Sequence, residues 1–222
     1  MNNQSTEIVI IRHGESLANK ERIMIGQSDY DLSDRGREQA AATAEFLKNE
    51  HFDAIYSRDL CRAYNTALPN AKLRGLEIIT DEGLRESYVG LWEERYFADL
   101  EENESELMRS WRQSFGHMVF PGGESTYDSG MRFHDAVVRI AKANPGRRIL
   151  IAAHAGVIRA FWGIINSVSK DEMGEAFPFA TNASCSYLSF DGERLIPGEY
   201  SVNAHLESIG FIKTRRPSEE NK

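Results

Sequence analysis

Four short segments hold the residues best able to do chemistry: Arg12-His13-Gly14-Glu15-Ser16, Ser57-Arg58-Asp59-Leu60-Cys61-Arg62, Leu84-Arg85-Glu86 and His154-Ala155-Gly156. Together they supply at least two arginines, two histidines and a carboxylate from remote parts of the chain. Such a set suits a phosphate monoester, whose dianion must be held while its phosphorus meets a nucleophile in line. Arginine serves the first need, because its planar fork bonds two phosphoryl oxygens at once and stays charged at any working pH. A neutral imidazole serves the second and can form a covalent intermediate. His13 is the candidate nucleophile, and Gly14 after it allows a sharp turn or a close backbone approach that frees the side chain. His154 would stabilise charge on the transferring phosphoryl group, a task preorganised donors perform at low reorganisation cost. Asn19 can add a neutral donor.

The departing alkoxide needs a proton. Glu86 is the better placed carboxyl, provided that burial keeps part of it protonated. Glu15 is the rival; it could instead orient an imidazole or bind loop backbone, and the residues alone do not separate these roles.

Other chemistries lose their support. No HxH, HExxH or CxxC spacing occurs, and two histidines at this separation do not specify a metal site. No GxxxxGK[ST] or GxGxxG run occurs either, so nucleotide-dependent phosphoryl transfer is disfavoured. Lys and Arg total 26 against 34 Asp and Glu, a formal charge of −8, which gives no general attraction to nucleic acid or an anionic membrane. An anion must therefore be captured locally. Cys61 and Cys185 are far apart and read as two ordinary thiols. With no targeting segment and so little cysteine, a cytoplasmic location is expected.

The elements that would position these groups can be read from hydrophobic period. Apolar, β-branched runs at 7–12, 53–57, 77–80, 148–153, 184–190 and 194–200 read as short strands. Helical patterns cover 33–49, with Ser33 as N-cap and Ala40, Ala44 and Leu47 at helical spacing, then 59–73, 96–115, 129–143 and 156–167. Strands alternating with helices predict a three-layer α/β/α sandwich around a mainly parallel sheet of about six strands. The chemistry-bearing segments then fall at strand carboxyl ends, where open parallel sheets bind ligands. The stretch from about 93 to 123 exceeds a simple crossover and reads as a small helical lid. It carries Tyr96, Phe97, Trp111, Phe115 and Phe120, which are expected chiefly to pack it onto the core, and the run Glu101, Glu102, Glu104, Glu106, expected to be a solvated face. One domain over residues 1–213 and a flexible tail at 214–222 complete the expectation.

Taken in order, IIRHGES with Asn19, RIMIGQSDYDLSDRGREQA, YSRDLCRAYNTA, LRESYVGLWE, PGGES, AAHAGVIRA and NASCSYL resemble the successive blocks of the histidine phosphatase superfamily, which includes cofactor-dependent phosphoglycerate mutases and many small-molecule phosphatases. The resemblance spans most of the chain. It implies that His13 is the phosphate acceptor, that Arg12, Arg62 and His154 line the phosphate pocket with Asn19 in contact, and that Glu86 is the proton donor. It also implies that no metal or other cofactor is required, that Gly26 and Gln27 lie in a substrate-facing loop, and that a final strand runs antiparallel to the others.

Several positions depart from the family pattern. Arg58 stands where relatives often carry Ser or Thr, and it joins Gly26 and Gln27 as a possible substrate-loop residue. Glu94 and Ala155 replace frequent glycines. Ser87 follows Glu86 where mutases usually have Arg, and no lysine occurs between Lys72 and Lys142. Hydrolysis of a small phosphorylated metabolite is therefore expected over mutase transfer, with a non-catalytic phosphate-binding protein as a third reading. The expected partner is a small-molecule phosphate ester, not nucleic acid or a membrane, and a homodimer is left open.

Overall fold

A computed structural model describes residues 5–210. Six strands form one sheet: β1 (Thr6–Arg12), β2 (Ala54–Ser57), β3 (Ile78–Thr80), β4 (Arg148–Ala153), β5 (Cys185–Phe190) and β6 (Leu195–Pro197), in the order β3-β2-β4-β1-β5-β6. The first four are mutually parallel. The antiparallel member is β5, which runs against β1; β6 pairs only with β5 and opposes it. The expectation of a reversed last strand is thus corrected by one position. A short return through Asp191 to Arg194 makes β5 and β6 a hairpin, and a hairpin restores the original direction.

Period two in the sheet builds two cores. Ile8, Ile10, Ile149 and Ile151 point to one face, where they pack against α6 (Thr126–Ala143) and α7 (Ala155–Ile165) through Phe133, Val137, Ile140, Val157 and Phe161. Val9, Ile11, Leu150 and Ala152 point to the other, against α3 (Cys61–Arg74) through Ala63, Ala67 and Ala71 and against Leu47, the residue that caps the end of α2 (Asp34–Phe46). A strand buried on both faces must be apolar at every position, which is why the two central strands read as continuous runs. The helix starts follow side-chain chemistry. Ser33 Oγ accepts from Gly36 N at 3.0 Å, and Ser125 Oγ accepts from Asp128 N at 2.9 Å, so the latter helix begins at Thr126 and not at 129.

The 93–123 segment holds two helices, α4 (Phe97–Asn103) and α5 (Ser105–Gln113), in place of one over 96–115. The chain bends at Glu104, and Leu100 and Met108 both turn into a small separate cluster with Met24, Val89, Trp92, Met118 and Phe120. Of the acidic run, Glu101, Glu102 and Glu106 are exposed and Glu104 is half-buried; Glu101 pairs with Arg112 at the surface, and Glu104 lies 3.2 Å from Arg95. Helices α1 (Leu17–Glu21) and α8 (Met173–Ala176) span five and four residues, too short for a helical period to show in sequence. Among the described residues no helix is long and apolar enough to cross a membrane. The tail at 214–222 lies outside the described residues.

Candidate active site

Because β1 and β4 are neighbours with Arg12 level with Ala153, His13 and His154 leave the sheet side by side. Their rings stand 5.1 Å apart at 53°. His13 N donates to Ala153 O at 2.9 Å, which fixes the backbone from which the side chain departs. Asn182 Nδ2 donates to His13 O at 3.0 Å from the entry to β5. Gly14 sits against Gly36: a Cβ at position 14 would meet Gly36 O at 2.5 Å, so the glycine serves a close backbone approach.

The hydrogen bonds set the state of each imidazole. His13 Nδ1 lies 2.7 Å from Gly14 O. A carbonyl only accepts, so Nδ1 carries the proton and Nε2 of the neutral ring keeps its lone pair. Burial pushes His13 well below its ordinary pKa, with Arg62 and Arg12 adding repulsion. His154 is held down in the same way by burial, then by Arg62 and Arg58. Its Nε2 is 3.4 Å from Arg58 Nη1, and its buried Nδ1 has no protein partner. Both rings are therefore neutral at neutral pH.

Three guanidiniums surround the pair. Arg62 donates to Ser28 O at 2.8 Å and Gly26 O at 2.7 Å; Arg58 reaches Gly26 O at 3.2 Å and Gln27 O at 3.4 Å; Arg12 donates to Ala180 O. Desolvation lowers Arg12 and Arg62 to about 10 and Arg58 to about 9, which leaves all three charged at pH 7. Their hydrogen bonds run to carbonyls and to His154, not to carboxylates, and each retains a buried Nε with no protein partner. Buried cations bonded only to neutral acceptors make a site for an anion.

Glu86 is the carboxylate of this site. Its oxygens accept from Gly156 N at 2.9 Å, Val157 N at 3.0 Å and Ser87 N at 2.9 Å, the first two at the start of α7. Glu15 is differently used: it accepts from Ser33 Oγ at 2.7 Å and ties the β1 exit to α2. Asn19 closes a capping box with Ser16, and its Oδ1 also accepts from Asn182.

A cavity of about 260 Å³ opens over these groups. Arg12, His13, Asn19, Arg62, Glu86, Ser87, Thr126, Ala155 and Gly156 line its polar side; Ile23, Met24, Ile25, Val89, Phe97, Trp111, Phe115, Phe120 and Phe179 line the rest. Of the expected lid aromatics, Phe97, Trp111, Phe115 and Phe120 thus both pack and face the cavity, whereas Tyr96 is exposed and does not. His154 and Arg58 are fully buried and have no share of the wall, and Gly26 and Gln27 also stand back from it. The two loop residues act through their carbonyls, as anchors for Arg58 and Arg62.

Glu93 is the functional residue that sequence reasoning passed over. Its carboxylate accepts from Gly26 N, Gln27 N and Ser28 N, and from Ser28 Oγ at 2.8 Å, so it staples the loop whose carbonyls orient the arginines. The available signal was a carboxylate beside buried Trp92 together with a glycine-led loop rich in free amides.

Comparison with known proteins shows which family and fold the chain shares. The family described as Histidine phosphatase superfamily (branch 1) matches residues 8–200. A metal-independent phosphoserine phosphatase of Arabidopsis thaliana is 36% identical over 211 residues, covering 94% of this chain and 86% of that protein. A phosphoglycerate mutase-like protein of the same plant is 31% identical, covering 94% and 90% respectively. Among solved structures, a mycobacterial glucosyl-3-phosphoglycerate phosphatase superposes with a TM-score of 0.82 at 30% identity, over 89% of this chain and 99% of that one.

Proposed function

The chain belongs to the histidine phosphatase superfamily, and from that premise we propose that it hydrolyses phosphate monoesters of small metabolites through a phosphohistidine at His13, with no metal ion taking part. The observation that carries the reading is the state of His13: a neutral imidazole, proton fixed on Nδ1 by Gly14 O, set among arginines whose hydrogen bonds go only to neutral acceptors.

In the first half-reaction Arg12 and Arg62 hold the phosphoryl oxygens, with Asn19 Nδ2 as a neutral donor. His13 Nε2 attacks phosphorus as the ester P–O bond breaks. Glu86 passes a proton to the leaving alkoxide, which departs as the alcohol. In the second, the Glu86 carboxylate takes a proton from water as that water attacks phosphorus. The P–N bond breaks, orthophosphate leaves and His13 is restored. Buried Arg58 adds fixed positive potential where charge develops, and neutral His154, its ring 5.1 Å from that of His13, adds an N–H dipole. Hydrolysis is favoured over mutase transfer because the cavity wall beyond Arg12 and Arg62 carries no further cation to retain a second phosphate.

The test is release of orthophosphate from a panel of monoesters in EDTA, with His13→Ala in parallel. Metal-free release that disappears in the variant, with an acid-labile phosphoprotein trapped from wild type, is the expected result. Undiminished turnover in His13→Ala would refute the covalent route. Rapid formation of 2-phosphoglycerate from 3-phosphoglycerate with catalytic 2,3-bisphosphoglycerate would overturn the hydrolase reading in favour of a mutase.

A further inference from the structure

Beyond the phosphate-holding groups, the cavity offers a ligand almost no polar partner. Besides Asn19, the neutral polar side chains on its wall are Ser87 and Thr126, and both are engaged inward. Ser87 Oγ lies 2.6 Å from Ser129 Oγ, and Thr126 Oγ1 donates to Phe115 O. No lysine lines it, and its arginines are the two assigned to the phosphoryl group. The remaining wall is a linked aromatic surface. Phe97 and Trp111 have ring centroids 5.9 Å apart, Trp111 and Phe179 5.1 Å, and Phe179 meets Phe115 edge to face at 5.5 Å. Arg159 backs this surface with its guanidinium 4.3 Å from Phe115 and 4.4 Å from Phe179, bonded to Phe177 O and Gly174 O. That cation is absent from the cavity wall.

We infer that the organic part of the substrate is apolar, of about the size of one aromatic ring, and carries no carboxylate. This rests on the reading that His13 and its arginines hold the phosphoryl group. A carboxylate entering such a space would lose water without gaining a cation of its own, whereas a ring gains burial and stacking against Phe97, Trp111 and Phe179. The size agrees: an apolar cavity of about 150 Å³ accepts benzene, and the 260 Å³ here leaves room for a phosphoryl group as well. The preference separates this chain from what the names of its relatives state, since phosphoserine and glucosyl-3-phosphoglycerate both carry charge beyond the phosphate.

Affinity of the intact protein for two non-hydrolysable probes, benzylphosphonate and 3-phosphonopropionate, measured by calorimetry with orthophosphate as reference, tests the inference without turnover. Benzylphosphonate should bind at least tenfold more tightly than the carboxylated probe. Phe97→Lys, which places a cation on the cavity wall, should bring the two within twofold or reverse them; if that variant fails to fold, Trp111→Ala should weaken benzylphosphonate alone. Equal or tighter binding of 3-phosphonopropionate by wild type overturns the inference, as does binding of orthophosphate with neither phosphonate. Hydrolysis of benzyl phosphate and O-phosphoserine, whose leaving groups are both alkoxides, separates this idea from the one beneath it. No turnover with the binding preference intact would remove the proposed reaction and leave the pocket assignment. Turnover favouring phosphoserine would do the reverse.

Discussion

Replacement of Arg62 and of Arg58 by alanine, assayed side by side on a minimal ester such as ethyl phosphate, probes the division of labour among the buried arginines. Arg62 lines the cavity, and its fork is held by Ser28 O at 2.8 Å and Gly26 O at 2.7 Å with Nε uncommitted. Its removal would delete two charge-assisted bonds to the phosphoryl group, at about 1.5–3 kcal/mol each. That amounts to about 3–6 kcal/mol of transition-state stabilisation, or about 10²–10⁴-fold in kcat/KM at roughly 1.4 kcal/mol per decade. Arg58 has no share of the wall and reaches the reacting groups only through His154, at 3.4 Å. At 3.4 Å that contact is long and weak, about 1 kcal/mol, so Arg58→Ala should cost about tenfold or less. Arg62→Lys should fall between, because it restores the charge without the fork. Thermal unfolding of each variant guards against a folding defect. Equal losses for the two alanine variants, or a larger loss for Arg58→Ala, would show that Arg58 touches the phosphoryl group and that the wall assignment is wrong.

Other expectations follow from the same geometry. Glu86→Gln should slow an alkyl phosphate far more than a nitrophenyl phosphate, whose leaving group needs little protonation; equal slowing of both would remove Glu86 as the acid. His13 and His154 have folded pKa values below the unfolded value of about 6.5, so the unfolded chain binds more protons as pH falls through that value. The stability they contribute is complete above pH 6.5 and is lost below it, at up to about 1.4 kcal/mol per pH unit for each ring. Melting temperature of the ligand-free protein should therefore drop from pH 7 to 5, and His154→Gln should flatten that drop; a flat wild-type profile would show that the rings are free to protonate. Gly26→Ala would put a Cβ 2.1 Å from Ser87 O and 2.7 Å from the Glu93 carboxylate, an overpacking worth about 1–3 kcal/mol. Circular dichroism melts should show a fall of several degrees together with reduced phosphate affinity, since Gly26 O anchors two arginines.

The local pattern of the chain determined a large share of this outcome. Strand and helix periods depend on neighbours two to four residues apart, so the continuous apolar runs of β1 and β4 and the Ser33 cap were legible directly. Once a parallel sheet is inferred, residues just past strand ends must gather at one edge, which brought His13, Arg58, Arg62 and His154 together on paper. Tertiary structure decided what depends on pairing across long separations. It set Glu86 onto the amides of Gly156 and Val157 and turned Glu15 away to Ser33. It made Gly26 an anchor, because Glu93 reaches it from 67 residues away. It also turned the apolar residues of a polar-looking insertion into an aromatic cavity wall. No periodicity encodes which of several carboxylates or rings meets a given partner, because that choice is made by where separate elements pack, and the packing is fixed only when the whole core is assembled.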